Sequence, residues 1–220
     1  MNESTLGRIA PLAGAGYAVA MIAGDLVIGQ FPDSDASVSK LTTYYANHHA
    51  HVVAGGMVFS FATILLAVFG CALWSRARTI RPGVAVAILV ATAVAVVADV
   101  QEATSFSLVG HASTASTLTP SALQALHIAG SEGSLSTGVA ILLLAVGLAD
   151  IAPRWLAWPA VVLGIAQLVP GISFFASLLF LLWAAVTGVV LTVLGGALLG
   201  DGFEPAADLV HVGAEVVDSR

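Results

Sequence analysis

Six apolar stretches set the fold of this chain: residues 9–30, 51–74, 84–109, 123–148, 155–169 and 174–199. A helix that crosses a bilayer needs about 20 predominantly apolar residues, and all but the fifth exceed that. Only 9% of the chain is charged and 58% is hydrophobic, whereas a soluble domain carries about 25% charged residues. Too few charges exist to cover a water-facing surface. A soluble enzyme and a disordered chain are thereby excluded, and the net charge of -6 argues against a nucleic-acid partner. The runs are continuous rather than alternating segments of about ten residues, which excludes a membrane β-barrel. Cys71 is the single cysteine, so a disulfide framework, a multi-cysteine metal site and dithiol redox chemistry are excluded as well. The expectation is an all-α polytopic membrane protein. Residues 1–200 form a six-transmembrane-helix bundle, and 201–220 form an acidic cytoplasmic tail (Asp201, Glu204, Asp208, Glu215, Asp218) expected to be disordered.

Orientation follows from Lys and Arg, which concentrate on the cytoplasmic side. With the N-terminus inside, Arg8, Arg76, Arg78, Arg81, Arg154 and Arg220 are cytoplasmic and only Lys40 is outside. Both termini are then cytoplasmic. The first stretch exceeds a signal-peptide core and lacks a clean cleavage site before Gln30-Phe31-Pro32-Asp33, so it reads as a retained helix. Pro170-Gly171 marks a tight turn between spans five and six. Val38, Leu41, Tyr45 and His48 recur at helical spacing behind the N-cap candidates Asp33, Ser34 and Asp35. They predict a short amphipathic helix at the outer interface, running into span two. Residues 110–120, rich in Ser and Thr, read as the second outer loop. Gly14, Ala18, Gly55, Gly56, Gly130, Gly133 and Gly138 suit close helix packing.

An ionisable residue inside a membrane is costly and is a functional-site hypothesis by default. At 1.5 Å per residue, Asp25 stands ~26 Å above Arg8, Asp99 ~27 Å above Arg81, and Glu132 ~27 Å above Asp150. Three carboxylates on three helices share one height, in the outer part of a hydrocarbon core about 30 Å thick. Glu102 at ~32 Å, His127 at ~35 Å and His51 at ~38 Å form a second tier, while Gln167 lies lower at ~20 Å. The inner halves of the spans carry no acid or histidine. Asp25, Asp99, Glu102, Glu132 and Gln167 therefore read as a polar pocket open to the outside.

Three readings of the pocket stand side by side. Mixed imidazole and carboxylate groups suit a divalent metal, with His51, His127, Glu102 and Glu132 as hypothetical ligands, although no HExxH spacing is present. Stacked carboxylates without a basic partner suit proton carriage or general acid chemistry. The third reading is a hydrated vestibule whose groups satisfy one another. Gly130-Ser131-Glu132-Gly133-Ser134 superficially resembles the serine motif of an intramembrane protease, but span six has no histidine to face it. A bis-histidine haem could draw only on His51 and His127.

Four segments carry a family resemblance. Arg8-Ile9-Ala10 opens a Gly/Ala-rich first span, and Tyr44-Tyr45-Ala46-Asn47 precedes span two. Pro153-Arg154-Trp155-Leu156-Ala157-Trp158 opens span five, and Leu178-Leu179-Phe180-Leu181-Leu182-Trp183 lies in span six. In these the chain resembles a broad group of uncharacterised six-span actinobacterial integral membrane proteins, a domain of unknown function. The resemblance implies the fold and a bacterial plasma-membrane location. It implies no activity and no catalytic residues, and His48-His49-Ala50-His51 stands outside the group's pattern.

The functional expectation is a multi-pass protein that binds, senses or moves a cation, proton or small polar ligand taken from the outer side. The alternatives are a membrane-embedded enzyme using carboxylates on a lipid or isoprenoid substrate, with or without a metal, and an accessory subunit of a membrane complex. Beyond the lipid bilayer and that ligand, no partner or oligomeric state is implied.

Overall fold

A computed structural model describes residues 9–33, 35–115, 118–131, 135–169 and 172–200. Glu132, Gly133, the Pro170-Gly171 turn and the tail 201–220 lie outside the described residues. The described residues are helical and contain no strand.

A 3-10 turn, Ala10–Leu12, leads into α1 (Ala13–Ile28). Pro11 sits in the first turn, where its missing N–H is not needed. Gly29 ends α1 at φ +75°, a conformation that favours glycine, and its N–H donates to the Asp25 carbonyl at 2.9 Å. Ser37 caps α2 (Val38–Ile80), its hydroxyl accepting from the Lys40 N–H at 3.4 Å. One residue, Arg81, separates α2 from α3 (Pro82–Ala115), with Pro82 at the first helical position. Then come α4 (Pro120–Ser131), α5 (Leu135–Leu148), α6 (Arg154–Gln167) and α7 (Ser173–Gly200).

Four segments are long and apolar enough to cross a membrane: Ala10–Ile28, Val38–Ile80, Pro82–His111 and Ser173–Leu194. The helices close into a ring in which α1 packs on α2, α2 on α3, α3 on α5, α5 on α6, α6 on α7, and α7 on α1. α4 lies against α3 and α2. One end of the ring is basic. There Arg81 pairs with Asp150 and donates to the Leu148 carbonyl at 2.9 Å, while Arg76 donates to the Leu191 carbonyl at 2.6 Å. The opposite end is called distal below.

Two apolar clusters fill the ring. Phe69, Leu73, Ile88, Leu142 and Leu191 belong to the one nearer the basic end. Leu41, Tyr45, Val52, Phe59, Phe106 and Leu123 form the distal one. Lipid is as apolar as these side chains, so helix association in a bilayer rests on close packing rather than on hydrophobic exclusion. Gly138 shows how close: a Cβ there would stand 2.6 Å from the Ala95 backbone nitrogen. Outside the ring, Val19, Leu26, Ile64, Val97, Phe174 and Phe175 are exposed, a surface suited to acyl chains.

Two sequence expectations change. The short interfacial helix is instead the first turns of α2, one unbroken helix of 43 residues. Nothing interrupts it, because 38–80 contains no proline and the buried stripe Leu41, Tyr45, Val52, Phe59 continues through it. The second outer loop is shorter than 110–120, since α3 runs to Ala115.

Candidate functional site

Two helix faces build the site. On α1, Tyr17, Met21, Asp25 and Ile28 follow one another at four, four and three residues, which keeps them on one side of a helix. On α3, Asp99, Glu102 and Phe106 do the same at three and four. Tyr17, Asp25, Glu102 and Phe106, joined by Phe174 and Ser177 of α7, line a cavity of about 380 Å³. Asp25 is exposed at this cavity and Glu102 is half-buried in its wall.

Asp99 is 4% exposed and Tyr17 fully buried. The Tyr17 hydroxyl lies beside the Asp99 carboxylate, yet neither it nor either Asp99 oxygen completes a hydrogen bond. Leaving a polar group buried and unpaired costs roughly 1–3 kcal/mol by mutational measures. Glu102 is within electrostatic reach of both Asp99 and Asp25. Among the described residues, no Lys or Arg lines the cavity. A short polar bridge closes one flank: Gln167, buried at the end of α6, exchanges hydrogen bonds with Ser177 at 3.3 Å.

A second constellation lies towards the distal end. His127 of α4 is 1% exposed. Its Nε2 faces the Asp33 carbonyl at 3.1 Å and its Nδ1 faces the Tyr45 hydroxyl at 2.9 Å. A carbonyl only accepts, so Nε2 carries the proton and, in the neutral ring, Nδ1 accepts from Tyr45. The imidazole also stacks on Phe31, with centroids 4.9 Å apart and planes at 24°. Phe31 meets Tyr44, Tyr45 and Phe106 edge-on. This ring is shared by two spaces. It lines the acidic cavity and also a distal groove of about 650 Å³ formed with Gln30, Asp33, Lys40, Tyr44 and His48.

The structure thus brings Asp99 and Glu102 to Tyr17 and Asp25 within reach of Glu102, and attaches Gln167 through Ser177. It does not gather His51, His127 and Glu102, the hypothetical metal ligands that lie among the described residues. Both ring nitrogens of His127 have protein partners, Tyr45 and the Asp33 carbonyl, so here it clasps α4 to α2 and to the segment after α1. His51 is exposed on α2, its ring 6.4 Å from that of His48. Glu132 lies outside the described residues. Among the described residues, no three His, Cys, Asp or Glu side chains converge into a set that could hold a metal ion.

Sequence reasoning missed Tyr17, Phe31 and the role of Tyr45. Tyr17 had a usable signal, its helical spacing from Asp25. Phe31 follows a helix end and had none.

No protein-family model matches the chain, and no curated protein and no solved structure matches it.

Proposed function

We propose that this chain is a six-span protein of a bacterial plasma membrane, with both termini cytoplasmic, that takes a cation, a proton or a small polar ligand from the outer side. In this reading the acidic cavity between α1, α3 and α7 is where the ligand is bound, sensed or moved. The observation that carries it is charge without a counter-charge: Asp25 and Glu102 line the cavity, Asp99 lies within electrostatic reach of Glu102, and among the described residues no basic side chain stands at the wall. Acidic groups within a bundle call for a proton or a cation as their partner.

Several features support the topology. In the closed ring α5 packs on α3 and α6 on α7, each of these neighbours long and apolar enough to span. Arg76, Arg78, Arg81 and Arg154 crowd one end, as cytoplasmic loops do. Exposed Trp155 and Trp158 stand near that end, where an aromatic belt belongs. The resemblance to six-span actinobacterial membrane proteins belongs to the same proposal.

Topology is tested in a Cys71→Ser background with Ser39→Cys or Arg78→Cys. A membrane-impermeant thiol reagent added to cells should label the first and spare the second, and the reverse pattern refutes the orientation. Function is tested by tryptophan fluorescence of the nanodisc-embedded protein during pH and cation titrations. Trp183 stacks on Phe180 of the cavity wall, with ring centroids 6.2 Å apart, so occupancy should register. The response should vanish in Asp25→Asn/Glu102→Gln. An unchanged response in that variant refutes the reading.

A further inference from the structure

The acidic cavity is walled by rings as well as by carboxylates. Tyr17, Phe31, Phe106, Phe174 and Phe180 contribute aromatic surface, and Met21 a thioether. Only four side chains on the wall are polar: Tyr17, Asp25, Glu102 and Ser177. That composition discriminates between cations. A hard divalent ion needs a dense oxygen shell, about six to eight ligands for calcium, and no three ligating side chains converge among the described residues. An ammonium carrying alkyl or aryl groups asks for the opposite. It is weakly hydrated, favours ring faces, and needs one or two carboxylates to balance its charge.

We infer that the cavity between α1, α3 and α7 is a binding site for a small organic ammonium ion, held by Asp25 and Glu102 and caged by the surrounding aromatic rings. The inference rests on the proposed function above and names its ligand class. Size agrees, since about 380 Å³ falls within the roughly 300–1,000 Å³ of small-molecule sites. An independent observation also points to a ligand. The fully buried Tyr17 lines this cavity and its hydroxyl has no hydrogen-bond partner. Entry follows from the shared ring. Phe31 separates the cavity from the distal groove, so a ligand arriving from that groove passes Phe31.

The probe is phenyltrimethylammonium, compared with its neutral isostere tert-butylbenzene and with sodium, on the full chain in nanodiscs by isothermal titration. Phenyltrimethylammonium should bind saturably and at least tenfold more tightly than tert-butylbenzene, while sodium should not displace it at equal concentration. Glu102→Gln and Asp25→Asn should each weaken it at least tenfold. Phe174→Leu should weaken it at least threefold. Phe174 is exposed, so this variant keeps its core and still reports on the cage. Equal binding of the neutral isostere, or unaltered affinity in the carboxylate variants, overturns the inference. Absence of ammonium binding, with a pH response that still depends on Glu102, overturns the ligand class alone. Absence of both removes the acidic-cavity reading as well.

Discussion

Asp99→Val should make the protein more stable. Aspartate in a packed interior normally has partners, and its removal is then destabilising. Here both carboxylate oxygens are buried without a hydrogen bond, and the residue is 4% exposed. Removing an unsatisfied buried polar group relieves roughly 1–3 kcal/mol of desolvation. The added methyl volume subtracts some of this, so about 1–2 kcal/mol remains. For a chain of 220 residues, each kcal/mol moves the midpoint by about 2–4 °C, which gives a rise of roughly 2–8 °C. The assay is thermal unfolding in detergent followed by tryptophan fluorescence, with Trp183 buried in the core as reporter. Tyr17→Phe supplies the control. Because the Tyr17 hydroxyl is also unpaired, its removal should be neutral or mildly stabilising. The two changes combined should add to within about 0.5 kcal/mol. A fall in midpoint for Asp99→Val, or a coupling above about 1 kcal/mol with Tyr17→Phe, would refute the reasoning. It would show the pair to be a structural hydrogen bond.

Other variants should behave as follows. Tyr45→Phe removes the donor to His127 Nδ1 at 2.9 Å and leaves a buried acceptor, costing about 1–3 kcal/mol, read as a lowered midpoint in the same assay. Gly138→Val drives a side chain into the α3 backbone, where even a Cβ would stand 2.6 Å from Ala95 N. It should cost at least about 1–3 kcal/mol and lower the yield of monodisperse protein on size exclusion. His51→Ala, at an exposed position, should leave stability within about 0.5 kcal/mol and leave metal content by mass spectrometry unchanged.

What the sequence disclosed, and what it withheld, divides along the helix axis. Apolar run length marks where helices lie, and counting from Arg8 and Arg81 gives the heights of Asp25 and Asp99. Azimuth is harder to read. Uniformly apolar helices carry little amphipathic contrast, so nothing separates the exposed Leu26 from the buried Ile28 by composition. Only polar residues betray a face, as Asp99 and Glu102 do at three-residue spacing. Long-range partners leave no mark at all. His127 looks like a ligand in the sequence because its partners, Tyr45 and Asp33, are 82 and 94 residues away. The end of α3 was also misjudged, since residues 110–115 were read as loop and are helical. The polar composition at Ser113 and Thr114 suggests a water-facing loop, but water-facing segments continue a helix when no breaker stops them.

The unbroken α2 has a mechanical consequence. Its 43 residues make a rod of ~65 Å, about twice the hydrocarbon thickness. Near its foot Arg76 grips α7 through the Leu191 carbonyl, and near its tip Tyr45 grips His127. With no proline or kink to absorb a tilt, a rotation of roughly 5° at the foot sweeps the tip through about 6 Å. The rod is therefore a lever, and a small strain at the basic end arrives magnified at the distal groove.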